Sequence, residues 1–420
     1  MRLKIPTFAL VVLIGPSSSG KSTFAKKHFL TSEIVSSDYC RFLISDNEND
    51  QTVSKAAFEL MHFIIDKRLS LRKFTVVDAT NVLESSRYEL IELARKHHAI
   101  TVAIVFNLAE EICYYRNKMR SDRHIDEKII HYQYNQMQYS LLNLKKEGFN
   151  YLYFMNSIND IMMAQLTKTA LFCDKSFETG PFDIIGDVHG CYDELLMLLA
   201  KLGYKVAPDF EVSHPQKRKV IFLGDLVDRG PKIVLVLKLV MKMVNSNIAY
   251  CVQGNHDNKL YRYLEGRNVQ IKNGLEDSVA ELEQETENFQ TEVKQFLKHL
   301  ESHLIFDNFR LVACHAGIKE EYIGRASRKI RNFTLYGKTT NETDEFGLPK
   351  RYLWAKDYKG KPLIIYGHTP NLAPYCINNT INIDTACVFG NKLTAYRYPE
   401  GEYIDVDALD TYSVPVRPIK

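Results

Sequence analysis

Short runs of apolar, often β-branched residues recur along the first half of this chain. Residues 8–14, 74–77 and 101–106 have this composition, and they alternate with segments of helical periodicity such as residues 88–97. Fully apolar strands that alternate with helices are typical of a parallel sheet covered by helices on both faces. The pattern therefore predicts an α/β domain with a parallel sheet in this half of the chain.

The second half repeats the apolar runs but follows them with different loops. Residues 182–185, 220–223 and 249–252 are apolar, and each run is followed by a loop that contains Asp, His or Asn. A long helical stretch is predicted between residues 259 and 303. Its core-facing stripe, at helical spacing, consists of Phe289, Val293, Phe296, Leu297, Leu300 and Leu304.

A turn-rich segment at residues 178–181 separates the two halves. At 420 residues the chain is also too long for one compact core. We therefore predict a first domain at residues 1–170, a linker at 171–180 and a second domain at 181–420.

The composition restricts the class of protein and its cellular compartment but does not indicate a function. The hydrophobic fraction of 45% is ordinary for a folded protein, and the net charge of +3 is only mildly basic. Binding of nucleic acid would therefore depend on local patches and not on a global field. The eight cysteines form no C-x-x-C pair, which favours a reducing cytoplasm over a disulfide framework or a structural zinc. No apolar run is long enough to span a bilayer, so we expect no membrane partner.

The segment GPSSSGKS at residues 15–22 fits the phosphate-binding pattern G-x-x-x-x-G-K-[ST], and it lies between a predicted strand and a predicted helix. Its backbone N–H groups and the helix N-terminus predict a nest for the β-phosphate of a nucleoside triphosphate. Lys21 would bridge the β- and γ-phosphates, and the Ser22 hydroxyl would hold Mg²⁺. The predicted contacts to ATP and magnesium are Gly15, Ser17, Ser18, Ser19, Gly20, Lys21, Ser22, Thr23 and Asp78.

Four further residues are candidates for phosphate transfer. Asp38 and Arg41 lie one helical turn apart, so the carboxylate could take a proton from an attacking hydroxyl while the guanidinium holds a neighbouring phosphate. The alternative is that Asp38 only caps a helix that begins there. Arg116 and Arg120 are four residues apart, hence predicted on one helix face, where they could clamp the γ-phosphate.

Five short motifs in the second half predict a two-metal phosphoesterase: GDVHG at 186–190, GDLVDRG at 224–230, GNHD at 254–257, HAG at 315–317 and GHT at 367–369. Two neighbouring divalent metals need oxygen and imidazole ligands with one shared carboxylate. The first metal is assigned to Asp187, His189 and Asp225, and the second to Asp225, Asn255, His315 and His368. Arg229 would bind phosphate oxygens, and His256, oriented by Asp228, would protonate the leaving group. These motifs fit a serine/threonine protein phosphatase or a diadenosine tetraphosphatase equally well.

The loop at 15–22, the pair Asp38 and Arg41, the segment at 78–81 and the pair Arg116 and Arg120 together look like the kinase domain of bacterial polynucleotide kinase-phosphatase. Residues 335–354 and 378–395 are similar to the phosphatase domain of the same family, so the resemblance covers nearly the whole chain. It implies a P-loop kinase domain followed by a calcineurin-like metallophosphoesterase domain with two sheets between helical layers (αββα).

The resemblance also implies roles for single residues. Asp38 becomes the general base on a 5′-hydroxyl, Arg41 binds the acceptor, and the two lid arginines clamp phosphate. Asp384 is implied in the metal site or the substrate pocket. One departure is Ala386, where the family usually has glycine. Another is the lack of a K-x-D-G nucleophile motif, since the best-known members continue into a ligase domain.

We therefore expect a bifunctional enzyme that repairs RNA ends. Its kinase, using ATP and Mg²⁺, phosphorylates a 5′-hydroxyl, and its phosphatase, using two Mn²⁺ or similar metals, removes 3′-phosphate, 2′-phosphate or 2′,3′-cyclic phosphate. The expected partners are RNA or DNA ends and a separate ligase, with a homodimer left open. Two alternatives remain: a small-nucleotide kinase fused to a dinucleotide polyphosphatase, and a protein phosphatase gated by ATP.

Overall fold

The computed structural model describes residues 1–121 and 124–419 and divides the chain into two compact units, Met1–Leu171 and Phe172–Lys420. Residues 172–180, expected as a linker, form backbone hydrogen bonds in the second unit. The Lys175 N–H donates to the Ile305 carbonyl at 2.9 Å, and the Asp307 N–H donates to the Glu178 carbonyl at 2.8 Å. Over the described ranges, every helix is too short or too polar to cross a membrane.

The first unit alternates strands and helices. Its strands are β1 (Arg2–Pro6), β2 (Ala9–Ile14), β3 (Ile34–Ser36), β4 (Thr75–Asp78), β5 (Ile100–Phe106), β6 (Tyr151–Met155) and β7 (Gln165–Thr169). Its helices are α1 (Lys21–His28), α2 (Ser37–Ser45), α3 (Ser54–Ser70), α4 (Glu84–Lys96), α5 (Glu110–Lys118), α6 (Glu127–Leu141) and α7 (Ile158–Met162).

Five of these strands form one sheet in the order β3-β4-β2-β5-β6, and all the pairings are parallel. Every residue of the central strand β2 is buried, because apolar clusters cover both faces of the sheet. The loop at residues 15–20 leaves the carboxyl end of this strand and enters α1. The predicted α/β class and parallel sheet are confirmed for this unit.

The second unit has more strands. They are β8 (Phe182–Ile185), β9 (Lys205–Val206), β10 (Val212–Ser213), β11 (Lys219–Phe222), β12 (Ala249–Cys251), β13 (His303–Phe306), β14 (Leu311–Cys314), β15 (Lys338–Thr343), β16 (Pro349–Tyr352), β17 (Leu363–Tyr366), β18 (Tyr375–Ile377), β19 (Thr380–Asn382), β20 (Lys392–Tyr398) and β21 (Glu402–Asp407). The helices are α8 (Tyr192–Leu202), α9 (Ile233–Asn245), α10 (Asn255–Leu264), α11 (Leu275–Glu283), α12 (Glu287–His299) and α13 (Arg328–Tyr336).

Two five-stranded sheets form the centre of the second unit, in the orders β12-β11-β8-β20-β21 and β13-β14-β17-β19-β18. Apolar side chains of both sheets, such as Ile184 and Ala313, share one buried cluster between them. Helices α8 and α9 pack on the outer face of the first sheet, and α13 packs on the outer face of the second. This αββα arrangement confirms the predicted calcineurin-like class.

The predicted helical stretch between 259 and 303 is three helices, α10 to α12. Val293 and Leu297 on α12 are buried in the core, as the stripe predicted. Leu304 is an error of the prediction, because the helix ends at His299 and Leu304 lies on β13 in the cluster between the sheets. Helical spacing alone did not reveal that the chain changes to an extended strand there.

Candidate functional site

The predicted metal ligands of the second unit lie in loops at the carboxyl ends of strands from both sheets. Parallel strands bring such loops to one edge of the fold. The first sheet contributes Asp187 and His189 after β8, Asp225 after β11 and Asn255 after β12; the second contributes His315 after β14 and His368 after β17, and it also carries Asp384 after β19.

Glycines let these loops approach each other. A Cβ on Gly254 would lie 2.1 Å from the Asp225 nitrogen, and a Cβ on Gly367 would lie 2.1 Å from Asp187 Oδ1. Any side chain at either position would displace a predicted ligand.

Asp225 lies where a shared carboxylate should. Its Oδ2 is 3.6 Å from His189 Nε2 and 3.3 Å from His315 Nε2. The latter nitrogen is also 2.9 Å from Asn255 Oδ1 and 3.0 Å from His368 Nδ1. The structure therefore brings the residues predicted for the second metal together and places Asp225 between the two groups.

Backbone carbonyls fix the orientation of two histidines. His189 Nδ1 is 2.8 Å from the Val227 carbonyl oxygen, and His315 Nδ1 is 3.0 Å from the Leu223 carbonyl oxygen. A carbonyl only accepts, so each Nδ1 carries a proton and each Nε2 is the nitrogen that faces the cluster and could bind a metal. Metal-ligating histidines are usually held in this way.

The electrostatics of the cluster suit divalent cations. Burial and the neighbouring Asp384 raise the pKa of Asp187 well above its usual range, and burial raises the pKa of Asp384 to about 6. Burial opposes ionisation of Asp225 as well, yet His315 and His256 hold the pKa of Asp225 well below its usual range. Burial opposes protonation of His315, but the carboxylates of Asp225 and Asp187 outweigh burial and raise the pKa of His315 to about 9, so a cation that binds its Nε2 must displace a proton. Buried carboxylates and imidazoles together are the donor set expected for two such metals. When bound, such metals lower the pKa of water and neutralise developing negative charge.

His256 and Arg229 flank the predicted metal ligands. His256 Nδ1 is 2.5 Å from Asp228 Oδ2, so its Nε2 is the nitrogen left to transfer a proton. The guanidinium of Arg229 lies 3.1 Å from His189 Nε2, where it can bind the oxygens of a phosphate. Both residues are therefore placed for the roles predicted for them.

Three residues near this site were not predicted. The Ser278 hydroxyl donates to Asp228 Oδ1 at 2.5 Å and accepts from the Asp228 N–H at 3.0 Å.

Asp257 accepts from the N–H groups of Leu226 and Gly254, and burial together with Asp225 raises its pKa to about 7. Arg351 donates to the His368 carbonyl oxygen at 3.1 Å. Asp257 lies inside the GNHD motif, which was a usable signal, whereas Ser278 and Arg351 lie in no motif.

Backbone strain is concentrated in the same loops. Five residues of these loops have a backbone φ between 45° and 72°, which residues other than glycine seldom adopt. They are His189, Asp225, Asp228, Arg229 and His368. Ala386, the departure from the family glycine, also takes it, with φ of 62°. Such residues persist where surrounding contacts hold them, and they cluster at functional sites.

In the first unit, Lys21 folds back onto its own loop. Its Nζ donates to the carbonyls of Gly15 at 2.9 Å and Pro16 at 2.8 Å. Burial lowers the pKa of Lys21, and the nearby carboxylate of Asp78 opposes that effect. A nucleotide phosphate would replace the two carbonyls as the partner of this ammonium group.

Other loop contacts are also local. The Ser19 carbonyl accepts from Arg116 at 2.8 Å, the Ser17 N–H donates to Gln133 Oε1 at 2.7 Å, and the Ser18 hydroxyl lies 3.5 Å from Asn117 Oδ1. Gly20 has φ of 101° and precedes α1, whose first turn holds the exposed Ser22 and Thr23.

The residue behind the predicted magnesium position is Asp78, the last residue of β4. Burial raises the pKa of Asp78, while the charge of Lys21 and a hydrogen bond to Ser22 oppose this. A hydroxyl and a carboxylate paired in this way are the usual magnesium partners of a phosphate-binding loop. The described side chains thus fit Mg²⁺ at Ser22.

Asp38 is not the cap of its helix. Helix α2 spans Ser37–Ser45, and its cap is Ser36, whose hydroxyl accepts from the Tyr39 N–H at 3.5 Å. Asp38 lies in the first turn and forms an ion pair with Arg41, whose side chain is 8% exposed against 41% for Asp38. The alternative that Asp38 merely caps α2 is therefore wrong.

The predicted arrangement of the two lid arginines is also wrong. Helix α5 ends at Lys118, so Arg120 lies beyond it and does not share a helix face with Arg116. Arg120 is nevertheless close enough to Lys21 to lower its pKa. Both arginines therefore remain near the phosphate-binding loop, by way of a turn and not of a continuous helix.

Comparison with known proteins gives a match for each unit. The model of the AAA domain matches residues 10–142, and that of the calcineurin-like phosphoesterases matches residues 180–400. Over 235 residues the chain is 48% identical to bis(5′-nucleosyl)-tetraphosphatase PrpE (asymmetrical) of Anoxybacillus flavithermus, which covers 55% of this chain and 96% of the relative. The same-named protein of Halalkalibacterium halodurans is 49% identical over 229 residues, which cover 54% of this chain and 93% of the relative.

A P-loop domain and a calcineurin-like phosphoesterase domain are therefore both present. The names of these relatives, however, describe dinucleotide tetraphosphatases and not polynucleotide kinase-phosphatases. These relatives are matched along nearly their whole length but cover little more than half of this chain.

Proposed function

We propose that this chain, which belongs to the calcineurin-like phosphoesterase family, hydrolyses dinucleoside tetraphosphates with its second unit. The observation that carries the proposal is the 48% identity to a tetraphosphatase along 96% of that protein's length. The matched family region, residues 180–400, contains every predicted metal ligand and Asp384.

In the proposed reaction, one P–O–P bond breaks and water supplies the oxygen of the new P–O bond. The products are a nucleoside triphosphate and a nucleoside monophosphate. Arg229 holds non-bridging phosphate oxygens, and His256, oriented by Asp228, can give its Nε2 proton to the departing phosphate. The buried carboxylates and imidazoles would hold the divalent metals, which would supply positive charge for the phosphate oxygens.

The experiment is chromatography of the products formed from diadenosine tetraphosphate and Mn²⁺, with Asp225→Asn as the control. We expect ATP and AMP in equal amounts, and loss of both with the variant. Two molecules of ADP per substrate would contradict the asymmetric reaction. No cleavage with Mn²⁺, Mg²⁺, Co²⁺ or Ni²⁺ would refute the proposal.

A second candidate is repair of RNA ends, and a specific observation favours it. The first unit has no counterpart in the matched part of the tetraphosphatases, and it carries the loop lysine, the Ser22–Asp78 pair and the acceptor pair Asp38 and Arg41. In this scheme the first unit, with ATP and Mg²⁺, phosphorylates a 5′-hydroxyl of RNA or DNA. The second unit, with Mn²⁺, removes the 3′-terminal or 2′-terminal phosphate, and a separate ligase in the cytoplasm joins the ends.

Transfer of label from [γ-³²P]ATP tests this second candidate. We expect labelling of a 5′-hydroxyl oligoribonucleotide by the wild type and none by Lys21→Ala. If mononucleosides are labelled instead, the small-nucleotide alternative holds for the first unit. If neither acceptor is labelled, the first unit is not a nucleotide kinase of either kind.

A further inference from the structure

A small cavity in the second unit adjoins the predicted metal ligand His368. Its volume is about 140 Å³. A cavity of about 150 Å³ binds benzene, so this one has room for one six-membered ring of a base. Its aromatic walls are Tyr336, Tyr352, Trp354, Tyr366 and Tyr375.

The wall formed by Trp354 is fixed to the loop that carries His315. The Trp354 indole N–H donates to the Ala316 carbonyl at 3.1 Å, and its ring meets the Tyr366 ring edge-on with centroids 5.1 Å apart. A Cβ on Gly317 would lie 2.1 Å from the indole, so glycine is needed for this approach. The cavity is therefore preformed and held to the same loop as a predicted metal ligand.

The polar side of the cavity faces the metal ligands. Arg351 lines it and donates to the His368 carbonyl oxygen at 3.1 Å and to the Thr369 hydroxyl. Its charge is attracted by Asp384, Asp187 and Asp225, which places it at the edge of the ligand cluster. A ring in this cavity would thus lie on one side of Arg351 and a phosphate at the metal site on the other.

A wider groove of about 960 Å³ shares Tyr336, Gly337 and Lys338 with the cavity. Seven of its sixteen lining residues are Arg or Lys, among them Arg262 and Arg328, and no lining residue is Asp or Glu. Such a surface attracts a molecule with several phosphates. The aromatic cavity and the basic groove together match the two chemical parts of a nucleotide substrate.

We propose that the aromatic cavity is a nucleobase subsite of the phosphoesterase centre. It takes the base of the nucleotide whose phosphate lies at the metal ligands, with Arg351 between base and phosphate, and the groove takes further phosphates. The inference rests on the proposed function in that the reacting phosphate belongs to a nucleotide. Either of the two candidate substrates would supply such a base.

The test compares AMP with ribose 5-phosphate, which differ only by the base. Titration calorimetry with Mn²⁺ should give a dissociation constant roughly 5- to 150-fold lower for AMP, the range expected from stacking of one base. Tyr336→Ala and Tyr375→Ala should reduce this ratio at least fivefold. Phe346→Ala, an exposed aromatic outside the cavity, is the matched control and should keep it. Trp354 is the chain's single tryptophan, so AMP should also change the intrinsic fluorescence while ribose 5-phosphate should not.

Several outcomes would overturn the subsite. These are equal affinities for the two ligands in the wild type, an AMP preference that both tyrosine variants retain, and tighter binding of phosphotyrosine than of AMP. The last would assign the cavity to an aryl phosphate. Binding is measured without turnover, so a protein that prefers AMP but hydrolyses no nucleotide would refute the proposed function and leave the base subsite standing. Hydrolysis of diadenosine tetraphosphate without the AMP preference would remove the subsite alone.

Discussion

Replacing Asp228 by asparagine tests the proton transfer assigned to His256. Asp228 is fully buried, and its Oδ2 lies 2.5 Å from His256 Nδ1. Asparagine keeps the shape and one accepting oxygen, so the ring can stay in place, but the charge that stabilises a protonated imidazole is lost. Loss of such an orienting partner costs about 10–100-fold in rate, or ~1.4–2.8 kcal/mol. His256→Ala should cost more, about 10²–10⁴-fold, because the proton donor itself is gone.

The assay compares two leaving groups. A nucleoside 3′-phosphate, a substrate of the second candidate function, expels an alkoxide, which needs a proton, whereas 4-nitrophenyl phosphate expels a weakly basic phenolate, which does not. We expect kcat of Asp228→Asn to fall 10–100-fold for the first substrate and less than about threefold for the second.

Asp277→Asn is the matched control, because Asp277 is an exposed carboxylate next to Ser278 on α11. It should leave both rates near wild type. Equal losses on the two substrates for a folded Asp228→Asn protein would show that Asp228 acts on metal or phosphate binding and not through the proton on His256.

Three further predictions concern the separate sites. Lys21→Ala should abolish γ-phosphate transfer, measured with labelled ATP, and leave hydrolysis, measured by product chromatography, intact. Asp225→Asn should abolish hydrolysis and leave γ-phosphate transfer intact. Loss of both activities in either folded variant would contradict two independent centres. Asp38→Asn should lower kcat for phosphate transfer about 10²–10⁴-fold with ATP affinity unchanged, and single-turnover transfer within about threefold of wild type would refute the general base. Protonation of Asp384, whose pKa burial raises to about 6, should add to the loss of metal affinity as pH falls, because only the carboxylate form attracts the cation. Calorimetric titration with Mn²⁺ between pH 5 and 8 should therefore show a smaller loss below pH 6 for Asp384→Asn than for the wild type, and equal losses would exclude Asp384 from the site.

Motifs that follow a buried strand were the most predictable part of the molecule. An apolar run that ends in Gly-Asp or Gly-Asn-His sets both the strand and the direction of its loop, so the ligand positions at Asp187, Asp225 and Asn255 could be placed in advance. The parallel sheet followed from the same runs, because strands without polar positions must be covered on both faces.

Local helix chemistry was less predictable. The sequence has a capping residue at Ser36 and an acid at Asp38, and either could begin α2. Only the backbone path shows that Ser36 is the cap, which leaves Asp38 for the ion pair with Arg41. In the same way, spacing of four predicted a shared helix face for Arg116 and Arg120, but α5 ends between them.

Contacts made by distant residues could not be predicted. Ser278 holds Asp228 from a helix fifty positions further along the chain, and nothing near either residue signals the pairing. Arg351 reaches the His368 loop from β16, a strand outside the two main sheets. These contacts arise from packing of elements against one another, for which a single sequence has no pattern.

The division of the metal ligands between two sheets has a consequence for the lifetime of the second unit. The first sheet carries all three ligands assigned to the first metal, whereas the second metal also needs His315 and His368 from the second sheet, so the second metal can be fully bound only after the sheets have packed together. Interactions that form after the folding transition state slow unfolding and leave the folding rate nearly unchanged. Metal present at a hundred times its dissociation constant adds about 2.7 kcal/mol to stability. Nearly all of that gain should therefore be seen as slower unfolding, so chelation would shorten the life of the native protein without making the chain harder to refold.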